Sequence, residues 1–139
     1  MKRNFIKSAL AIALFFSLAG CEHLMEPTKT LWGSSTRALE HARGDATVKT
    51  FLSGWEECFD KVLEIATEND LTVFVSDRHN LRIVLMGFSG SISTTEVGIF
   101  FSEGETGKTK LEIVSLSPDA QAAAAKLFSE NLQKSFPEI

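Results

Sequence analysis

The apolar positions between residues 46 and 70 predict a strand followed by an amphipathic helix. The segment Thr47–Phe51 is rich in β-branched and aromatic residues, which is typical of a strand. Behind it, apolar residues recur at i, i+3, i+4 and i+7, the spacing of a helix that buries one side. The members of this stripe are Trp55, Cys58, Phe59, Val62, Ile65 and Ala66. Ser53 and Glu56 fit a capping box at the start of the helix, and Asn69 and Asp70 mark its end.

Four further strands follow in quick succession. They are predicted at Leu71–Ser76, Leu81–Phe88, Thr94–Phe101 and Thr109–Leu116. The polar residues 77–80 and 103–107 between them suit short hairpin loops. Strands joined by such short loops pair with their neighbours, so this part of the chain predicts an antiparallel meander.

A second helix closes the pattern. Ser117 suits the N-cap, Pro118 the first helical position and Asp119 the positive end of the helix dipole. Its apolar stripe consists of Ala120, Ala124, Leu127, Phe128 and Leu132, and Pro137 ends it. The order β-α-β-β-β-β-α predicts an α+β two-layer sandwich, in which two helices cover one face of an antiparallel sheet of about five strands.

The two faces of this sheet differ in composition. The set predicted to face the helices is nearly all apolar: Leu71, Val73, Val75, Leu81, Ile83, Leu85, Val97, Ile99, Phe101, Leu111 and Ile113. The opposite set mixes charged residues with Phe74, Val84, Met86, Phe88 and Phe100, which is more apolar than a face open to water requires. Two explanations stay open. In the first, the preceding chain covers this face, or the face is simply a partly apolar surface. In the second, the five residues form a surface for a partner, a second copy or a ligand.

The N-terminal segment has the layout of an export signal. Basic residues in positions 1–7 precede an apolar run at 9–16, and the small residues Ala19 and Gly20 lead to Cys21. The apolar run is too short for a spanning helix, so the segment is interpreted as a secretory signal.

The tetrapeptide Leu18–Cys21 resembles the lipobox of bacterial lipoproteins. The resemblance implies that residues 1–20 are removed and that Cys21 carries a diacylglycerol and an acylated amino group. An aspartate directly after the cysteine would resemble the inner-membrane retention signal of enteric bacteria. Glu22 stands there instead, which favours the periplasmic face of the outer membrane.

The chain is expected to divide into a signal peptide at 1–20, a lipidated tether at 21–45 and a globular domain at 46–139. The tether contains Pro, Gly, Ser and several charges, and residues 35–43 within it suit a short helix. A large aromatic residue such as Trp32 usually packs onto something, so we expect the tether to fold back on the domain.

Charge narrows the range of partners. The chain has 18 acidic residues against 14 Lys and Arg, a net charge of −4. Removal of residues 1–20 takes away Lys2, Arg3 and Lys7 and no acidic residue, so 11 basic residues remain and the net charge becomes −7. An acidic surface argues against nucleic acid and against docking on anionic headgroups. Membrane attachment is therefore expected through acyl chains on Cys21 alone.

Few residues of the chain are candidates for a catalytic or metal-binding role. Cys58 has no partner once Cys21 is lipidated, and its place on a helical stripe predicts a buried structural thiol. The three histidines, His23, His41 and His79, lie in the tether or in a predicted turn. No nucleophile with a base and no pair with metal-ligand spacing is evident, so we expect no catalytic site, metal or cofactor.

Two short segments resemble known sequence motifs but lack the structural context that those motifs require. Residues 102–109 resemble a phosphate-binding loop, but serine replaces the first glycine and a strand pattern follows where the mechanism needs a helix. A hairpin that binds no nucleotide is therefore predicted. Arg43-Gly44-Asp45 has the letters of an adhesion tripeptide and is explained by a helix stop before a strand.

The lipobox, the tether and the order β-α-β-β-β-β-α together resemble small envelope lipoproteins with a BamC-like, helix-grip domain. The resemblance covers Leu18–Cys21 closely and residues 46–136 by element order. It implies a non-enzymatic accessory of the outer-membrane β-barrel assembly machinery. We therefore expect an anchored interaction module of the bacterial envelope with a protein partner. The alternatives are a binder of a lipid or small apolar ligand and, third, an enzyme.

Overall fold

Residues 35–139 are described by the structure, which is a computed structural model. Residues 35–41 form a helix, α1, and one 3-10 turn at Ala42–Asp45 leads from it to the sheet. The later elements are β1 (Thr47–Phe51), α2 (Trp55–Glu68), β2 (Thr72–Asp77), β3 (Arg82–Met86), β4 (Val97–Glu103), β5 (Thr109–Ser115) and α3 (Pro118–Leu132). The predicted signal peptide, Cys21 and Trp32 lie outside the described residues.

The five strands form one antiparallel sheet in the order β1-β5-β4-β3-β2. Strands β2 to β5 form the predicted meander, with short loops in two hairpins and residues 87–96 between β3 and β4, and β1 pairs with β5 at one edge. Helices α2 and α3 pack against one face of the sheet. The α+β two-layer sandwich predicted from the sequence is confirmed.

The outer edge of β1 is partly covered by the last residues of the chain. The Leu52 N–H donates to the Pro137 carbonyl at 2.9 Å, and the Ile139 N–H donates to the Thr50 carbonyl at 3.0 Å. Between them, the Glu138 carboxylate accepts from Lys49 at 2.7 Å and from the side chain of Gln133. These bonds satisfy backbone groups that an edge strand would otherwise expose.

Helix α3 begins as predicted. The Ser117 hydroxyl oxygen accepts from the Ala120 N–H at 3.3 Å, and Pro118 occupies the first helical position. A side-chain cap of this kind satisfies one of the helix amides that have no partner within the helix.

Helix α2 begins differently, and the predicted capping box is wrong. The N-cap is Gly54, and no side chain bonds its first-turn amides. Ser53 instead donates from its hydroxyl to Glu57 at 2.6 Å, while its carbonyl accepts from the Thr109 hydroxyl at 2.7 Å. Ser53 therefore ties the start of α2 to the start of β5.

The main core lies between the sheet and the two long helices. The fully buried rings of Phe51, Phe59 and Phe128 fill its centre, with aliphatic residues of β3, β4 and β5 around them. Phe59 also packs against Phe101, with ring centroids 5.1 Å apart. Burial of this much apolar surface is the main force that holds a domain of this size together.

Phe88 belongs to this main core, which corrects its predicted place on the opposite face. It is 4% exposed, and its ring centroid lies 6.3 Å from that of Phe128. Strand β3 ends at Met86, and Gly87 has a φ of 96°. Because side chains alternate between faces only along an extended strand, this left-handed residue turns Phe88 back towards the helices.

A bulge in β2 changes the face of Val75. Val73 pairs with Leu85, but Val75 pairs with Val84, so Phe74 is the extra residue between them. A bulge of one residue reverses the alternation beyond it. Val75, predicted to face the helices, therefore lies on the opposite face.

Thr36–Ile139 form one compact unit. Residues 36–46 lie across the face opposite α2 and α3, where Leu39, Ala42 and Ala46 pack against the sheet. We call residues 36–46 the strap. The sheet thus carries helical cover on both sides, two long helices on one and a short segment on the other.

Candidate functional site

The face beneath the strap is the candidate site. We call it the covered face; its residues without polar side chains are Phe74, Val75, Val84, Gly98, Phe100 and Val114, and Arg82, Ser102 and Glu112 lie on the same side. Pairing places Val75, Val84, Gly98 and Val114 side by side across four strands. The next row holds Asp77, Arg82, Phe100 and Glu112. An apolar row therefore borders a charged row, and the strap crosses both.

Leu39 is the apolar anchor of the strap. It is 1% exposed and packs with Val84, Phe100 and Val114. Gly98 creates the space that it occupies. A Cβ at Gly98 would stand 3.4 Å from Leu39 Cδ1 and only 2.9 Å from a carbon of the Phe100 ring. A residue larger than glycine would therefore push against the Phe100 ring and crowd Leu39.

Two ion pairs fix the direction of the strap. Glu40 accepts from Arg82 on β3 at 2.6 Å, and Arg43 pairs with Glu112 on β5. Glu40 and Arg43 are three positions apart and carry opposite charges. Their partners on the sheet, Arg82 and Glu112, also carry opposite charges. Each pair is partly exposed, so each contributes little to stability. Together they penalise a strap bound in the reversed direction, because like charges would then meet.

Phe100 lies between the two ion pairs. The Arg43 guanidinium stands over its ring at 4.6 Å, within the range of a cation–π contact. Arg82 also pairs with Asp77 at 3.3 Å, and Lys110 lies 3.6 Å from Glu112. The ring thus lies among charged groups and the apolar side chains of Leu39, Val84 and Val114, and it is 3% exposed.

The five residues predicted as an interaction surface do not form one open patch. Val84 and Phe100 are buried under the strap, and Phe74 packs at its margin. Met86 is half-buried at the end of β3, opposite Thr72, and Phe88 lies in the main core. Of the two explanations left open, the structure shows coverage by the preceding chain for the centre of this face.

Sequence reasoning missed Leu39, Glu40, Arg43 and Gly98 as members of the site. A signal existed for three of them, because an apolar residue, an acid and a base occur within one turn of a predicted helix. A second signal was a glycine in an otherwise apolar strand, which often marks close approach of another segment. Nothing in the sequence indicates that the helix with Leu39 packs over Gly98.

A cavity of about 450 Å³ lies where the strap meets the start of α3. Ala42, Asp45, Thr47, Leu116 and Gln121 are among its lining residues. The Gln121 amide oxygen accepts from the Ser115 N–H at 3.0 Å, and its nitrogen donates to the Asp45 carbonyl at 2.9 Å. Because these polar groups already hold the strap to the domain, the cavity offers few free groups that could orient a ligand.

Cys58 is buried in the main core, as predicted. Burial raises the pKa of its thiol, and the hydroxyls of Ser53 and Thr109 oppose that rise. A buried thiol with a raised pKa holds little of the thiolate form that nucleophilic chemistry requires.

The loop that resembles a phosphate-binding loop joins two strands. It runs from the end of β4 at Glu103 to the start of β5 at Thr109, and the Gly104 N–H donates to the Lys108 carbonyl at 2.9 Å. The hairpin predicted from the sequence is confirmed, so no helix dipole points at this loop. The absence of nucleotide binding stays a prediction.

His79 lies in the exposed turn between β2 and β3. In the same turn Asp77 accepts from the backbone and side chain of Asn80, at 3.0 and 2.7 Å, and these bonds lower the pKa of its carboxyl. Local bonds of this type stabilise a turn.

Metal clusters and spanning helices are both missing from residues 35–139. No group of three or more His, Cys, Asp or Glu side chains there is placed to hold a metal ion. None of the helices in the same range combines the length and the apolar character that a membrane span needs. No model of a known protein family matches the chain, and no curated protein matches it.

Proposed function

We propose that this chain is a lipid-anchored, non-catalytic interaction module that faces the periplasm from the outer membrane of a bacterium. The observation that carries the proposal is the tetrapeptide Leu18–Cys21 behind a basic and then apolar signal. Acyl chains on Cys21 hold the protein at the membrane, and residues 22–35 connect the anchor to the compact unit. The partner that the BamC-like resemblance suggests is the β-barrel assembly machinery.

The composition of the domain supports an interaction role over catalysis. Cys58 is buried, and Glu40, Arg43, Arg82 and Glu112 are used in ion pairs between the strap and the sheet. Groups held in such pairs are poorly placed for acid–base chemistry on a substrate. The acidic net charge also speaks against nucleic acid as a partner.

The second candidate is a binder of a lipid or small apolar ligand in a groove between sheet and helices. In this fold that space is filled by the side chains of the main core, including Phe51, Phe59 and Phe128. The cavity near Gln121 lies elsewhere, and the Gln121 amide is already bonded to the Ser115 N–H and the Asp45 carbonyl. A binder of apolar molecules needs a preformed apolar pocket. The filled core favours the interaction module.

Metabolic labelling with a radioactive or clickable fatty acid in the bacterial host tests the anchor. The two cysteines of the chain give a matched pair of variants, Cys21→Ser and Cys58→Ala. We expect label in the wild type and in Cys58→Ala, and no label in Cys21→Ser, which should also keep its signal peptide. Label that persists in Cys21→Ser would overturn the proposal.

A further inference from the structure

The strap is the only ligand whose fit to the covered face can be read from the described residues, and it shows what that face accepts. The ligand is a short helix that places a leucine over the hollow at Gly98. An acid follows the leucine directly to meet Arg82, and a base three residues further meets Glu112. The face is thus shaped and charged for an amphipathic helix in one direction.

The attachment of the strap is weak compared with the main core. Leu39 is its one fully buried side chain and Thr36 is 8% exposed. Its two ion pairs are partly exposed, and one hydrogen bond, from the Gln121 side chain to the Asp45 carbonyl, holds its end. The 3-10 turn Ala42–Asp45 contains no buried residue, and no side chain caps it. A helix of two turns is marginal in water without its packing. Segments with few buried contacts open locally, without unfolding of the whole domain.

The covered face also contains polar groups that the strap does not satisfy. The Arg82 Nε is buried, and no hydrogen-bond partner reaches it within the described structure. The same holds for the hydroxyl of Ser102, which lies on this face two positions after Phe100. A buried donor without an acceptor is unfavourable. A helix that supplied an acceptor at these points would bind more tightly than the strap does.

We propose that the strap is a displaceable cover, and that the covered face binds an amphipathic helix of a partner protein in its place. The recognised helix carries a leucine, an acid at the next position and a base three residues after the acid, the pattern of Leu39, Glu40 and Arg43. It also presents an acceptor towards Arg82. This inference deepens the proposed interaction role by naming the surface and the kind of partner, and it does not depend on the anchor.

The strap competes with the partner because it is part of the same chain. A tethered segment acts at an effective concentration on the order of millimolar. The apparent affinity for a partner is reduced by the fraction of molecules in which the strap is open. A change that weakens the strap alone should therefore strengthen binding of a helix from outside, which is the opposite of what a change in a binding surface does.

The test is binding of a fluorescent peptide of residues 35–46 to the full chain in detergent, measured by anisotropy. We expect Leu39→Ala in the protein to tighten binding roughly tenfold or more over the wild type, since it raises the open fraction. Arg37→Ala, which alters an exposed residue of the same helix, should bind like the wild type. A peptide with aspartate in place of its leucine should not bind.

Three results would overturn the proposal. One is a folded Leu39→Ala protein that binds the peptide no better than the wild type does. Another is equal binding of the aspartate peptide, which would mean that the hollow at Gly98 is not used. A third is a wild-type dimer by light scattering in which straps are exchanged between copies. If Leu39→Ala fails to fold, Glu40→Lys replaces it, because it turns the partly exposed pair with Arg82 into two like charges and leaves Leu39 in place. It should give a smaller increase in peptide affinity, and no increase counts against the proposal. Fatty-acid labelling at Cys21 is independent of each of these results.

Discussion

Leu39 packs over Gly98, and the absence of a side chain on Gly98 is what makes room for it. The Leu39 Cδ1 lies 3.4 Å from the place where a Cβ of Gly98 would stand. Val84 and Val114 flank Gly98 on the neighbouring strands, so one leucine closes a hollow bounded by three strands. This contact joins the strap to the centre of the sheet.

Replacement of Gly98 by alanine tests this contact. The new methyl group would stand 2.9 Å from the buried Phe100 ring, so we expect a loss of about 1–3 kcal/mol in the free energy of unfolding. Gly104→Ala is the matched control, because its Cβ would make an ordinary contact at 3.5 Å with Lys108. Urea unfolding of both variants measures the difference. Equal stability of the two would mean that the hollow is not needed.

Phe88→Ser should unfold or strongly destabilise the domain. Phe88 lies in the main core against Phe128, and truncation of a buried phenylalanine costs about 3–5 kcal/mol. Ile92→Ser, in the loop that follows, changes a residue that is 75% exposed and should have almost no effect. Chemical denaturation compares the two. A stable Phe88→Ser protein would show that Phe88 lies on the opposite face, as the alternation in the sequence predicts.

Cys58 should resist thiol reagents in the native protein. Burial raises the pKa of its thiol, so little thiolate is present at neutral pH. The unfolded chain loses this proton first, near pH 8.5, so the contribution of Cys58 to stability should decline above that pH. Cys58→Ala should cost on the order of 1 kcal/mol. A water-soluble thiol reagent, applied with and without denaturant, measures the protection, and rapid native labelling would contradict it.

Glu138 should make the stability of the C-terminal segment depend on pH. Hydrogen bonds from Lys49 and Gln133 lower the pKa of its carboxyl. Its contribution is therefore present above the unfolded pKa of about 4.3 and disappears as the pH falls through the lower folded value. Glu138→Gln should lose stability at pH 7, and this deficit should shrink as the pH falls below about 4.3, whereas exposed Glu130→Gln should change little. Unfolding curves across this pH range test this, and a deficit in Glu138→Gln that did not change with pH would exclude the carboxylate as its cause.

Most of the fold follows from local patterns. The stripe of α2, the Ser117 cap of α3 and the alternation in β4 and β5 each specify an element without help from distant residues. These elements form as predicted because local preference and burial agree.

The misplaced residues lie where alternation is interrupted. The bulge at Phe74 moves Val75 to the covered face, and left-handed Gly87 turns Phe88 into the main core. Neither interruption has a unique sequence signal, since bulges and single glycines occur in many strands. A one-residue change in register exchanges the faces of every residue beyond it.

The candidate site could be predicted only in part. Its apolar residues on the sheet were found from composition, and Val84 and Phe100 are indeed its centre. Its other half, the strap, is a pairing of Leu39 with Gly98 and of Glu40 with Arg82 across long stretches of chain. Sequence periodicity carries no information about which distant segment covers which face.

Hydrogen exchange of individual backbone amides in the full chain tests the displaceable strap most directly. We expect amides of residues 36–46 to exchange through a local opening, with a lower free energy than amides of β4 and β5, which require global unfolding. Leu39→Ala should reduce protection in the strap and leave β4 and β5 unchanged, and Arg37→Ala should alter neither. Exchange of the strap in step with β4 and β5, in the wild type and in both variants, would show that the strap opens only when the domain unfolds and would contradict a displaceable cover.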